Sequence, residues 1–92
     1  MEFEWDSVKA DTNERKHGVP FSLAGRVFDD PTCLILEDRR RNYGEERFTA
    51  FGMVDGRVFM LAFTWRGDRC RVISIRKANA RETRRYHRQI QG

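Results

Sequence analysis

Residues 66–86 read Arg66-Gly-Asp-Arg-Cys-Arg-Val-Ile-Ser-Ile-Arg-Lys-Ala-Asn-Ala-Arg-Glu-Thr-Arg-Arg-Tyr86, and they decide the fold of this chain. The stretch predicts a turn over 66–68, a strand over 69–77 and a strongly basic helix over about 80–89.

Positive charge is concentrated at the C-terminal end. Residues 61–92 hold nine Lys and Arg against two Asp and Glu, whereas residues 1–30 hold four against seven. At about 100° per residue, four arginines of the last helix fall within one arc roughly 100° wide: Arg81, Arg84, Arg85 and Arg88. A basic face beside an acidic end favours binding of a polyanion, and nucleic acid is the polyanion expected.

The N-terminal third predicts a short strand over 3–5 and two helices. Asp6 is a good N-cap for a first helix over about 7–16, which Gly18 ends by taking a left-handed conformation. The second helix is expected to start at Pro20, because proline suits a first helical turn, and to stop at Asp29. In the last helix, the same logic identifies a capping box of Asn79 and Glu82.

The middle of the chain predicts strands joined by tight turns. Candidates are 32–37, then 47–53 after a polar loop at 38–45, then a central strand at 58–63 that is apolar on both faces. Asp55-Gly56 is a strong hairpin signal between the last two. We therefore expect a single α+β domain over 1–92 with an antiparallel four-stranded sheet, two N-terminal helices and one C-terminal helix. The helices are expected on one face of the sheet.

No segment predicts a secreted or membrane protein. The acidic N-terminus lacks a signal-peptide pattern, and the longest apolar run, 58–63, is too short to cross a bilayer. Cys33 and Cys70 lie in separate apolar runs outside any metal-ligand motif. We expect a cytoplasmic protein with neither metal nor cofactor.

Three separated motifs carry a resemblance to a known family. They are Phe3-Glu-Trp-Asp-Ser-Val-Lys-Ala with Asn13-Glu-Arg-Lys-His-Gly-Val, Gly44-Glu-Glu-Arg-Phe followed by Gly52, and Arg71-Val-Ile-Ser-Ile-Arg-Lys-Ala with Glu82 and Tyr86. Together they resemble the BrnT family over nearly the whole chain. The chain departs from the family pattern at Pro20, where Ser is usual, and at Ile75, where a small residue is common.

The resemblance implies a toxin of a type II toxin–antitoxin pair with a RelE-like fold. Members of the family are ribonucleases that stop translation and are neutralised by the antitoxin BrnA. The implied partners are RNA, a DNA-binding antitoxin and a higher-order complex of the pair on operator DNA.

Metal-independent RNA cleavage needs a base for the 2′-hydroxyl and cations for the charged phosphorane. Arg76 and Lys77, at the end of the last strand, are the first candidates for holding the phosphate, and Arg71 is the next. Arg71 and Arg76 have opposite parity, so either a bulge lies between them or only one faces the site.

The identity of the base stays open at this stage. Glu46 is one candidate, with Arg47 orienting it, and His17 is another, with Lys16 beside it. Trp65 is a candidate for stacking on a nucleobase.

Several further readings also stay open. Tyr86 is a candidate for RNA binding from the last helix, although a packing role is favoured for both it and Trp65. Two other functions fit the same basic face: a non-catalytic nucleic-acid-binding module, and an interaction subunit that meets an acidic protein partner.

Overall fold

The elements follow one another in the predicted order. This computed structural model describes residues 1–91. The strands are β1 (Glu2–Glu4), β2 (Leu34–Asp38), β3 (Arg47–Val54), β4 (Arg57–Arg66) and β5 (Arg69–Lys77), and the helices are α1 (Ser7–His17), α2 (Ala24–Asp29) and α3 (Ala80–Gln91). A 3₁₀ turn (Phe21–Leu23) precedes α2. No helix within this part of the chain has the length and apolar composition needed to cross a bilayer.

The sheet has five strands in the order β1-β5-β4-β3-β2, and β4 is central as predicted. The prediction of a four-stranded antiparallel sheet is wrong in one respect, because β1 joins the edge of β5 and runs parallel to it. Charge explains the pairing, since acidic residues of β1 lie opposite basic residues of β5. Glu4 accepts a 2.6 Å hydrogen bond from Arg71, and Glu2 lies 3.5 Å from Arg69.

Helix α1 begins and ends as the sequence indicates. The Asp6 carboxylate accepts hydrogen bonds from the backbone N–H groups of Val8 and Lys9, at 2.9 and 3.1 Å. Gly18 ends the helix at φ 70°, a conformation that glycine adopts without steric cost.

A buried asparagine of α1 covers the edge of β5 where β1 no longer does. The Asn13 side chain donates to the Ile75 carbonyl at 2.8 Å and accepts from the Ile75 N–H at 3.3 Å. It also donates to the Val19 carbonyl at 3.2 Å. One amide side chain therefore satisfies backbone groups that a longer β1 would have paired.

The second helix starts later than predicted. Pro20 is extended, at φ −78° and ψ 148°, and the chain makes the 3₁₀ turn before α2 begins at Ala24. Residues three apart are eclipsed in a 3₁₀ turn, so Phe21 and Ala24 both enter the core. Helix α2 then rests directly on β3, where a Cβ at Gly52 would lie 2.4 Å from the Val27 carbonyl oxygen.

The sheet is covered on both faces, which corrects the prediction that all helices share one face. Alternate residues of β3 and β4 belong to different clusters, as Ala50 and Phe51 do in β3. The cluster with Ala50 packs against α1, the 3₁₀ turn and α2, whereas the cluster with Phe51 packs against Tyr86 of α3. A sheet that is apolar on both faces must bury both, and α3 covers part of the second face.

Local sequence signals place most element ends to within one or two residues; the exceptions are the start of α2 and the end of β4, which runs to Arg66 rather than to 63. Strand β5 has the predicted bounds, β2 is shifted by one or two residues towards the C-terminus, and α3 extends two residues further than expected. Asp55 and Gly56 have φ values of 49° and 79°, which confirms the predicted tight hairpin.

Candidate functional site

A bulge in β5 changes which side chains share a face. Strand β4 pairs Ala62 with Ser74 and the next residue, Phe63, with Val72, so Ile73 is an extra residue in β5. A one-residue insertion reverses the alternation of side chains beyond it. Odd-numbered residues of β5 therefore face one side of the sheet before Ile73 and the other side after it.

This bulge brings the two predicted phosphate ligands to one face. Cys70 and Ile75 have opposite parity, yet both are fully buried in the α1–α2 cluster. Arg71 and Arg76 alternate with them and so both lie on the other face of the sheet, the face that α3 partly covers. Of the two arrangements that the sequence leaves open, the structure has the bulge.

Short side chains form a floor between these two arginines. Ser74, Ala62 and Thr49 are cross-strand neighbours in the register, and all three are half-buried. The flanking rows contain Arg76 with Met60 on one side and Arg71 with Thr64 on the other. Rows two residues apart along a strand are separated by roughly 7 Å, so the floor is a shallow depression between cationic walls.

A groove of about 230 Å³ lies at the α3 end of this floor. Strand β2 and the loop after it form one wall, β4 and β5 with Thr49 of β3 form the base, and the first turns of α3 form the other wall. Four arginines line it: Arg39, Arg40, Arg76 and Arg85. Three carboxylates, Glu37, Asp38 and Glu82, lie among them and each binds an arginine.

Glu82 holds Arg76 by a two-pronged contact. The Nη1 and Nη2 atoms of Arg76 donate to the two carboxylate oxygens of Glu82 at 2.8 and 2.9 Å. Hydrogen bonding to Arg76 lowers the pKa of Glu82 below its ordinary value. The predicted capping box is confirmed as well, because Glu82 accepts from the Asn79 N–H at 2.9 Å and donates its own N–H to Asn79 Oδ1 at 2.8 Å.

On the opposite wall, Asp38 binds Arg40 through Nε and Nη2, both at 2.9 Å, and accepts from the Tyr43 hydroxyl at 3.1 Å. The hydrogen bonds from Arg40 hold the pKa of Asp38 well below its usual range. The Arg47 guanidinium lies 4.2 Å above the Tyr43 ring and donates to Glu45 at 3.2 Å. Asp38 is the β2 partner of Arg47, so Arg47 faces the same side of the sheet as the groove.

Two predicted residues lie in a different cavity. Glu46 and Trp65 line a space of about 240 Å³ with Phe48. Trp65 packs edge-on against Phe63 at 5.7 Å, so it belongs to the sheet face that α1 and α2 cover. The structure thus separates Glu46 and Trp65 from Arg76. Lys77 is exposed but follows Arg76 in the strand and points to the opposite face, so the two do not share one phosphate.

Lys16 and His17 approach the floor from its other end. A surface cleft of about 280 Å³ runs along α1 and meets β5 at its bulge; it is lined by Val8, Lys9, Thr12, Asn13, Lys16 and His17 of the helix and by Ile73 and Ser74. Ser74 is also part of the floor. The cleft along α1 therefore meets the floor at Ser74.

Helix α3 presents its arginines as predicted, but Tyr86 is not available to RNA. Arg81, Arg84, Arg85 and Arg88 are all exposed. Tyr86 is 2% exposed, and its hydroxyl donates to Asp30 and lies 2.7 Å from Thr32 Oγ1. Its role is to attach α3 to the segment between α2 and β2, which corrects the expectation of RNA binding.

Sequence reasoning identified Glu82 as a helix cap but missed its contact with Arg76. The available signal was the short spacing of six residues between a strand-terminal arginine and a carboxylate in the first turn of the following helix.

A comparison with known protein families gives a match over most of the chain. A family model for "Ribonuclease toxin, BrnT, of type II toxin-antitoxin system" matches residues 5–82 of the 92. A comparison with curated proteins gives no match. The matched range contains α1, the β5 bulge, Arg71, Arg76 and Glu82, and membership implies a cognate antitoxin. The chain belongs to the BrnT family of ribonuclease toxins from type II toxin–antitoxin systems.

Proposed function

We propose that this protein is an endoribonuclease that cleaves RNA on the open face of its RelE-like sheet without a metal ion, and so inhibits translation in the cytoplasm. The observation that carries the proposal is the bulge at Ile73, which places Arg71 and Arg76 on one face around a floor of short side chains. The exposed arginines of α3 continue the same cationic surface.

The chemistry uses the nucleophile that RNA itself provides. The ribose 2′-hydroxyl loses its proton to a base and its oxygen attacks the adjacent phosphorus; the P–O5′ bond breaks as the 2′,3′-cyclic phosphate forms, and the 5′-oxygen takes a proton from solvent water. Arginine stabilises the extra negative charge of the phosphorane through paired N–H donors. Arg76 is assigned to the scissile phosphate, and Arg71 with the α3 arginines is assigned to neighbouring phosphates.

The proton acceptor is proposed to be His17 rather than Glu46. What supports His17 is that it lines the same surface cleft as Ser74, a residue of the floor. Glu46 lines a cavity with Trp65 and Phe48 that reaches Thr64, in the row of Arg71, but contains neither Arg76 nor a residue of the floor. Histidine is also the side chain most often used to take a proton near neutral pH.

Cleavage is expected to persist in EDTA, because guanidinium groups supply the positive charge that stabilises the phosphorane. Purified protein free of antitoxin is incubated with total RNA, with and without chelator, and products are separated on a denaturing gel. Activity that returns only with Mg²⁺ contradicts the metal-independent mechanism. RNA that is retained but intact under both conditions supports the non-catalytic binding module instead.

The antitoxin is proposed to cover the cationic surface of β5 and α3 with acidic side chains. Changing Arg84→Glu together with Arg88→Glu is then expected to slow association by about 10-fold or more at low salt and to flatten its salt dependence. Stopped-flow association rates at low and high salt measure the effect. An unchanged rate with an unchanged salt slope means that the antitoxin binds elsewhere.

A further inference from the structure

Arg76 uses three of its donors within the protein. Nη1 donates to Glu82 and to the Lys77 carbonyl, at 2.8 and 3.2 Å, and Nη2 donates once to Glu82 at 2.9 Å. A guanidinium has five N–H groups in a fixed plane. Within residues 1–91 the Nε–H and the second Nη2–H have no partner; they lie in that plane and point in the same direction from one edge of the group.

The free pair of donors is suited to a phosphate. Two parallel N–H groups of arginine match two oxygens of a phosphate or carboxylate. The Arg76 side chain is 30% exposed and lines the groove. Arg76 can hold Glu82 with one fork and a phosphate with the other at the same time.

Glu82 is itself held firmly. Its carboxylate accepts from both Nη atoms of Arg76 and from the backbone N–H of Asn79, and none of these contacts uses the Asn79 side chain. The carboxylate is therefore fixed to the first turn of α3, and through it the guanidinium plane is fixed relative to the groove. An orientation that is set before the substrate binds does not have to be acquired in the transition state.

We propose that Glu82 is a positioning residue for RNA cleavage, which fixes the Arg76 guanidinium so that its Nε and Nη2 donors face the scissile phosphate. This rests on the proposed function. It also predicts a distinctive pattern, because the negative charge of Glu82 repels RNA while its hydrogen bonds orient Arg76. Removal of that charge should preserve or strengthen RNA binding and yet slow the reaction.

The test variant is Glu82→Gln. The amide oxygen can still accept the Asn79 N–H, but the amide nitrogen opposes an Arg76 donor and breaks the fork. We expect kcat on a labelled single-stranded RNA to fall by about 10- to 100-fold, with KM unchanged or lower. Asn79→Ala is the matched control, because it removes the other half of the capping box and leaves the Arg76 contacts intact. It should lower Tm but change kcat by less than about threefold.

A double-mutant cycle with Arg76→Ala decides between the roles of Glu82. If Glu82 acts through Arg76, Glu82→Gln has no further effect in the Arg76→Ala background. A further fall in that background overturns the proposal, since Glu82 then acts on RNA directly or only stabilises α3. If Glu82→Gln has the kcat of the wild type while Arg76→Ala is impaired, the positioning role of Glu82 is overturned as well. The proposed function is not affected by that result. Full activity of Arg76→Ala overturns both.

Discussion

Replacement of Arg76 by alanine is expected to lower RNA cleavage by about a hundredfold and to abolish growth arrest. Loss of one charge-assisted contact to the transition state typically costs about 3 kcal/mol, which corresponds to such a factor. Arg76→Lys should be impaired as well, because an ammonium group cannot bind Glu82 and a phosphate with two forks. Cleavage of labelled RNA and growth after induction measure the effect.

The matched control for this substitution is Arg26→Ala. Arg26 also forms a bidentate ion pair, with Asp55 at 2.8 and 3.1 Å, but it is more than half exposed and lies on α2, on the other face of the sheet. Its removal should leave cleavage unchanged and shift the free energy of unfolding by no more than about 1 kcal/mol. An Arg76→Ala protein that melts like the control and remains fully toxic would exclude Arg76 from the site.

Replacement of Tyr86 by alanine is expected to lower the free energy of unfolding by about 3–5 kcal/mol, the usual cost of removing a buried aromatic ring. Within α3 (Ala80–Gln91), Tyr86 is the residue that is buried. Its ring packs with Phe51 and Val58, and its hydroxyl reaches Asp30. Detachment of α3 would also remove one wall of the groove, so cleavage should be lost with stability. Thermal melting and RNA cleavage of the variant are the measurements.

Tyr86→Phe separates the ring from the hydroxyl and should cost only about 1–2 kcal/mol. Burial alone would raise the pKa of Asp30, but hydrogen bonds from Tyr86, Met53 and Thr32 lower it to about 2. A lowered pKa means that the ionised form stabilises the fold above the ordinary carboxyl pKa, and that this stability is lost as the pH falls towards 2. The acid-induced loss of stability should therefore be smaller in Tyr86→Phe. An equally steep loss in both proteins would show that the Tyr86 hydroxyl does not stabilise the Asp30 carboxylate.

Several features of this protein follow from the sequence alone because they depend on neighbouring residues. The Asp6 cap, the Asp55-Gly56 hairpin, the capping box of Asn79 and Glu82 and the basic face of α3 are all local signals that the structure confirms. Each is set by backbone preferences or hydrogen bonds within a few residues, which is why sequence patterns predict them.

Only the tertiary structure decided which side chains meet. Asn13 bonds to Ile75 across 62 positions of the chain, and β1 joins β5 because their charges are opposite. The bulge at Ile73 places Arg71 and Arg76 on the same face of the sheet. Their odd and even positions in the sequence did not decide whether they share a face. Glu46 and Trp65 line another cavity. Register, bulges and the choice of sheet face depend on how distant apolar surfaces are buried together, and a linear pattern does not contain that information.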